Sequence, residues 1–112
     1  MNEETIFQLI LHGGNARGEA YEALDAAEEF DFEKAEQHLK EAEKEFSEAH
    51  KAQTEVIRSS GEAGAEGNNL LMIHAQDHVM TAQAELNLIK RLIDSYRVIQ
   101  KLEQRIERLE NK

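Results

Sequence analysis

Apolar residues recur three and four positions apart in three separate stretches of the chain. The stretches cover about residues 3–29, 31–59 and 68–111, and residues 60–67, SGEAGAEG, interrupt the pattern between the last two. Positions at this spacing share one side of an α-helix, so each stretch predicts an amphipathic helix. We therefore expect an all-α fold, an antiparallel three-helix bundle, with residues 60–67 as its one long loop.

Two local features refine the boundaries and packing of these helices. Asp31 is a favourable N-cap for the second helix, because its side chain can accept a hydrogen bond from a free backbone N–H. Gly13, Gly14 and Gly18 interrupt the first helix, and each costs about 1 kcal/mol relative to alanine inside a helix. Three such residues close together predict either a kink or the close approach of another backbone.

The third helix is longer than a compact three-helix monomer needs. A helix over this stretch would be about 60 Å long. Its last part, residues 98–112, carries Ile99, Leu102, Ile106 and Leu109 at the alternating spacing of a coiled-coil seam. We interpret residues 1–112 as a single domain with a helical C-terminal extension at 98–112, and we expect it to form an oligomer.

The amino-acid composition excludes several classes of function and of chemical site. The 112 residues include 23 acidic and 13 basic side chains, which gives a net charge of −10 and disfavours binding to nucleic acid phosphates. The chain has no cysteine, which excludes disulfides, thiolate zinc sites and thiol nucleophiles. The start, MNEETIF, lacks the basic and apolar regions of a signal peptide, and no apolar run reaches membrane-spanning length. A cytoplasmic location is therefore expected.

The candidate chemistry lies early in the third helix. In the segment LMIHAQDHVMT at 71–81, His74, Asp77 and His78 share one broad side of the predicted helix. Helical geometry puts Asp77 within an apolar stripe and the two histidines at its edge. A carboxylate in an apolar seam is costly unless it is paired, protonated or bound to a metal.

Three interpretations of this segment stay open from spacing alone. Histidines four residues apart can share a zinc ion, with Asp77 as a third ligand. A neutral imidazole is also a good nucleophile near neutral pH, so His74 or His78 could accept a transferred group. The third interpretation has no chemistry: the histidines lie in a helical interface and Asp77 is a buried carboxylate that sets its register, as in a helical scaffold or regulatory protein.

Three sequence blocks resemble one known family. They are H-A-Q-D-H-V-M-T at 74–81, E-A-H-x-x-Q-T at 48–54 and G-N-A-R at 14–17. Their order and spacing resemble those of the lactose/cellobiose/diacetylchitobiose-type enzyme IIA of the bacterial phosphotransferase system, over about residues 5–96. One departure is Phe30, where the family usually has glycine, so we expect the first turn to lack its left-handed cap residue.

The resemblance implies a homotrimer of three-helix protomers, nine helices in all, that acts as a phosphocarrier enzyme. His74 would take a phosphoryl group on Nε2 from the phosphohistidine of the carrier protein HPr and pass it to a cysteine of enzyme IIB. With the membrane enzyme IIC, the system would take up and phosphorylate a β-linked disaccharide such as cellobiose, chitobiose or lactose.

The resemblance also assigns roles around His74. His78 would donate a hydrogen bond to the phosphoryl group, and Gln76 is a further candidate donor. Three copies of Asp77 would bind one divalent cation on the trimer axis, and carboxylate oxygens suit Mg²⁺. Four more side chains can approach the cleft, although packing or surface exposure is the simpler role for each: His12, Arg17, His50 and Gln53. The zinc and scaffold interpretations remain the alternatives.

Overall fold

A computed structural model describes residues 3–63 and 70–112, although not the side chains of 59–63, and contains three long helices. They are α1 (Glu3–Glu28), α2 (Phe32–Ala63) and α3 (Leu70–Glu110), packed into a rod of 72 × 18 × 15 Å. The three-helix prediction is therefore confirmed, and the described ranges contain no strand. None of these helices is long and apolar enough to cross a membrane.

The predicted loop at 60–67 is wrong in its first half. Helix α2 continues through Ser60 and Gly61 to Ala63, because one glycine costs a helix only about 1 kcal/mol and the glutamate and alanine that follow are strong helix formers. The rest of the predicted loop, 64–67, lies outside the described residues, as does the predicted start of the third helix at Asn68 or Asn69.

The turn between α1 and α2 keeps a left-handed cap residue, contrary to expectation. Phe30 itself adopts a φ of 64°. Its N–H donates to the carbonyl of Ala27 at 2.9 Å, and the N–H of Asp31 donates to the carbonyl of Ala26 at 2.9 Å, the bond pattern of a Schellman motif. Asp31 then caps α2 as predicted, because its Oδ1 accepts a hydrogen bond from the backbone N–H of Lys34 at 3.1 Å.

Helix α1 lies between the other two helices and contacts both, whereas α2 and α3 contact each other only sparsely. Its buried side is mostly alanine, which lets the larger residues of α2 and α3 pack closely against it. The close approach predicted for the glycines is confirmed at Gly13, where an added Cβ would lie 3.3 Å from Cγ2 of Val79. Gly14 and Gly18 have no such neighbour among the described residues.

Helix α3 is apolar on two opposite faces. Its core face packs inside the protomer and consists of six fully or almost fully buried residues: Ala75, Val79, Ala82, Leu86, Ile89 and Ile93. Its outer face carries exposed large apolar residues that include Leu70, Ile73, Met80, Leu88, Leu92, Ile99, Leu102, Ile106 and Leu109. The exposed fraction is 84% for Leu70 and 62% for Leu88, so the outer face is unpartnered within the described chain.

Candidate functional site

His74 and His78 form a close pair on the second and third turns of α3. Residues four apart stand above one another on a helix, and here Nε2 of His74 lies 3.1 Å from Nε2 of His78. The rings meet edge to face, with centroids 4.4 Å apart and planes at 87°. At this distance one ring nitrogen donates a hydrogen bond and the other accepts it. His74 is exposed and His78 is half-buried, so His74 is the more accessible of the two.

The pair lies in an open cleft between α1 and α3. The cleft is lined by both histidines together with Arg17, Asp77 and Thr81. The hydroxyl of Thr81 donates to the backbone carbonyl of Asp77 at 2.7 Å, so that hydroxyl is used within the helix itself. The cleft therefore presents two imidazoles, a guanidinium and a carboxylate to the solvent.

Arg17 is fixed in this cleft by a contact between helices. Its Nε donates a hydrogen bond to Oε2 of Glu85 at 2.6 Å, and its guanidinium lies 5.8 Å from the centroid of the Tyr21 ring. The hydrogen bond and the negative charge of Glu85 raise the pKa of Arg17 above its already high value, so this side chain is always cationic. About half of the Arg17 side chain stays exposed, which leaves it accessible from the cleft.

Glu85 was not identified from the sequence. It lies eleven residues after His74, and positions four, seven and eleven residues apart return to the same side of a helix. Extending the register of His74 along α3 through His78 and Thr81 therefore reaches Glu85. Following this register would have identified Glu85 as a partner for Arg17. The sequence analysis had already named Arg17 as a residue that can approach the cleft.

Gln76 lies away from this cleft. It follows His74 by two residues, about 200° around the helix, and so faces α2. There its Oε1 accepts a hydrogen bond from Nε2 of Gln53 at 2.5 Å. Gln53 and His50 line a second groove, between α2 and α3. Within one chain, Gln76, Gln53 and His50 therefore do not line the His74 cleft, and for Gln53 and His50 this matches the packing or surface role that the sequence favoured.

His12 is also engaged elsewhere. Its Nδ1 lies 2.6 Å from Oε2 of Glu45, in a partly buried pair that joins α1 to α2. The packing role that the sequence favoured for His12 matches this contact. Arg17 is thus the one member of the four candidate side chains that the protomer brings to the His74 cleft.

Asp77 occupies the middle of the outer face of α3, between Ile73 and Met80, and is exposed. Its carboxylate has no hydrogen-bond or ion-pair partner among the described residues. In residues 3–63 and 70–112, no three His, Asp or Glu side chains come together as a metal site. Neither the zinc triad of His74, Asp77 and His78 nor a magnesium site is therefore assembled by the described part of one chain.

Comparison with known proteins identifies the family. The model of the lactose/cellobiose-specific IIA subunits of the phosphotransferase system matches residues 4–97. The lichenan-specific phosphotransferase enzyme IIA component of Bacillus subtilis is 47% identical over 104 residues, which cover 88% of this chain and 93% of that protein.

Two solved structures agree with this assignment. The crystal structure of the cellobiose-specific enzyme IIA from Bacillus anthracis superposes with a TM-score of 0.83 at 38% identity, covering 90% of this chain and 94% of that one. The IIA(chitobiose)–HPr complex of Escherichia coli contains a chain that superposes with a TM-score of 0.78 at 34% identity, covering 88% of this chain and 95% of that one.

The chain that contains this cleft and this helical fold therefore belongs to the lactose/cellobiose-specific enzyme IIA family. It is a phosphotransferase component of a sugar phosphotransferase system.

Proposed function

We propose that His74 is the phosphorylated residue of this enzyme IIA component. The observation that carries the proposal is the contact between Nε2 of His74 and Nε2 of His78 at 3.1 Å, in a cleft open to solvent. A carrier must meet a donor protein and an acceptor protein in turn, so its nucleophile has to be accessible. His74 meets this requirement, and Nε2 is its reacting atom.

The proposed transfers need no other reactant. The lone pair on Nε2 of neutral His74 forms a bond to the phosphorus of the HPr phosphohistidine as the N–P bond of the donor breaks and its electron pair returns to the donor nitrogen. In the second step a cysteine thiolate of enzyme IIB attacks the same phosphorus, and the electron pair of the broken bond returns to Nε2. The proton on Nδ1 of His74 stays in place throughout.

His78 has a defined part in both steps. With a proton on its Nε2, His78 donates to the lone pair of His74 in the resting carrier and to a phosphoryl oxygen once the N–P bond has formed. Phosphoryl transfer is catalysed mainly by electrostatic stabilisation of the negative charge that develops on the phosphoryl oxygens. Hydrogen-bond donors that already point at those oxygens provide this stabilisation. Gln76 of one protomer faces away from His74, so any contribution from Gln76 would have to cross between protomers.

Partners and substrate follow from the relatives. The chitobiose relative is described in complex with HPr, and the other two relatives are named for lichenan and cellobiose. We assign HPr as donor, a cognate enzyme IIB as acceptor and a β-linked disaccharide, taken up through enzyme IIC, as the final acceptor of the phosphoryl group. Such a carrier works in the cytoplasm, where its partners lie.

The outer face of α3 supports a homotrimer. A run of exposed apolar residues from Leu70 to Leu109 is much longer than the isolated apolar positions normal on a monomer surface. Three copies of α3 packed in parallel through this face would bury it, giving nine helices around a threefold axis. The 98–110 segment would continue the same seam as a three-stranded coiled coil.

In such a trimer three Asp77 carboxylates would meet on the axis. Their like charges need compensation in an apolar seam, and a divalent cation such as Mg²⁺, bound by Asp77 of each protomer, would supply it. The carboxylate of Asp77 fits this role because it has no partner among the described residues of its own chain.

The test of the proposed function is phosphorylation by the general components of the system. With phosphoenolpyruvate, enzyme I and HPr, the chain should take up one phosphoryl group, and His74→Gln should take up none. His50→Gln is the matched control, because His50 is also exposed but lies in the other groove, and it should be labelled like the wild type. An unlabelled wild-type chain that still trimerises would instead support the scaffold interpretation.

A further inference from the structure

We propose that the guanidinium of Arg17 binds the phosphoryl group on His74 and so stabilises the phosphorylated carrier. This inference rests on the proposed function, since it needs a phosphoryl group at His74. Arg17 lines the same cleft as both histidines and is the only lysine or arginine among its lining residues.

The negative charges around the cleft have to be compensated by a cationic side chain when His74 is phosphorylated. A phosphohistidine adds a dianionic group, and Asp77 and Glu85 already place two carboxylates beside the cleft. The whole chain carries a net charge of −10. His78 can donate a hydrogen bond when neutral, but it then brings no charge. Among the residues that line the cleft, Arg17 is therefore the permanently cationic group that can offset the phosphoryl charge.

The anchoring of Arg17 suits it to this role. Glu85 occupies only the Nε–H, and a guanidinium has four further N–H donors on its two terminal nitrogens. Those nitrogens form the planar fork that matches phosphate oxygens. The contacts with Glu85 and Tyr21 hold the side chain beside the cleft before phosphorylation, so less conformational freedom is lost when the phosphoryl group arrives.

A second arginine separates this role from a purely structural one. Arg97 also donates to a glutamate of another helix, Glu36, at 2.7 Å, and its guanidinium lies 4.7 Å from the centroid of the Phe32 ring. Like Arg17, it thus bonds to a glutamate of another helix and lies over an aromatic ring, although it donates through Nη2 and not through Nε. It lies 23 residues after His74, about 35 Å further along α3. Removing Arg97 removes a comparable surface ion pair without touching the cleft.

The experiment compares Arg17→Gln, Arg17→Lys and Arg97→Gln in the equilibrium of phosphoryl transfer between HPr and the carrier. Arg17→Gln should shift this equilibrium about tenfold towards phosphorylated HPr, since it removes a charged hydrogen-bond donor from one state only. Arg17→Lys should shift the equilibrium less than Arg17→Gln does, because lysine keeps the positive charge and loses only the planar fork. Arg97→Gln should leave the equilibrium unchanged.

A spectroscopic readout accompanies the equilibrium. The ³¹P resonance of the phosphohistidine should move in Arg17→Gln and keep its wild-type position in Arg97→Gln. The inference is overturned if His74 is labelled as proposed and Arg17→Gln has the equilibrium and the ³¹P resonance of the wild type. A failure of the proposed function looks different, because the wild-type chain would then carry no phosphoryl group on His74.

Discussion

The two faces of α3 have similar apolar patterns and opposite surroundings. On the core face, Leu86 is fully buried against α1 and α2, whereas on the outer face Leu88, two residues later, is 62% exposed. The outer face also carries the only acidic residue between Leu70 and Glu85, Asp77. An apolar pattern on a helix thus predicts burial only when a partner for that face exists, and the outer face of α3 has none among the described residues of its chain.

The position of the proposed site follows the same division between the two faces. His74 and His78 lie at the edge of the outer face, next to α1, so they are outside the protomer core and open to solvent. Gln76, only two residues from His74, faces α2 and bonds to Gln53 instead. The side of the helix on which a residue lies, and not its distance along the sequence, therefore decides its part in the site.

The largest expected effect comes from charging the outer face. Leu88→Glu should convert the proposed trimer into lower-mass species, because three carboxylates would have to enter an apolar seam that has no ligand for them. Sedimentation velocity measures the change, and Gln104→Glu, which is exposed on the opposite side of α3, should stay trimeric. A trimer that survives Leu88→Glu would show that the outer face is not the interface.

A substitution on the core face should lower the free energy of unfolding and leave the mass of the oligomer unchanged. Leu86→Ala removes a fully buried side chain and should lower the free energy of unfolding by about 3 kcal/mol, from lost transfer energy and the remaining cavity. Urea denaturation at a fixed protomer concentration measures the loss. Gln104→Ala is the exposed control, on the opposite side of α3 from the outer face, and should change stability by less than about 0.5 kcal/mol. A loss below 1 kcal/mol for Leu86→Ala would contradict a close-packed core face.

Substitutions of Asp77 test whether the proposed trimer seam is held together by a bound cation or by its apolar side chains. Asp77→Leu should abolish binding of the divalent cation and keep the trimer, because the outer face then becomes continuously apolar. Metal analysis after dialysis measures the first effect and sedimentation the second. Asp77→Asn should also lose the cation. Dissociation of Asp77→Leu would show that the carboxylate and its cation hold the chains together.

The smallest effect concerns the glycines of α1. Gly18→Ala should stabilise the protein by about 0.5–1 kcal/mol, since alanine is the better helix former and the space around Gly18 is open. Gly13→Ala should be destabilising by a similar amount, because its Cβ would press on Val79 of the core face. Thermal unfolding at one protein concentration should show that Gly18→Ala is more stable than Gly13→Ala. Equal stability of the two variants would contradict the close approach at Gly13.

Most of the fold could be predicted from the sequence, because helical spacing and capping are local properties. The spacing of apolar residues predicted three helices, and Asp31 predicted the start of α2. The end of α2 was misjudged since Gly61 was given more weight than the helix formers around it. The left-handed Phe30 could not be foreseen either, because the Schellman hydrogen bonds, and not the residue type, fix that conformation.

The candidate site was predictable only along α3. His74, Asp77 and His78 share a side that spacing alone defines. The contribution of Arg17 depends on how α1 crosses α3, and the Arg17–Glu85 bond joins residues 68 positions apart. Gln76 belongs to the same family block as His74, and only the rotation of the helix separates the two side chains.

The proposed function depends above all on a phosphoryl group at Nε2 of His74. The most direct measurement is ¹⁵N NMR of the phosphorylated chain with ¹⁵N-labelled histidine, which identifies the modified nitrogen from its shift and its coupling to phosphorus. We expect one phosphorylated nitrogen, Nε2 of His74, with His12, His38, His50 and His78 unmodified. A phosphoryl group on His78 or on any other histidine would contradict it.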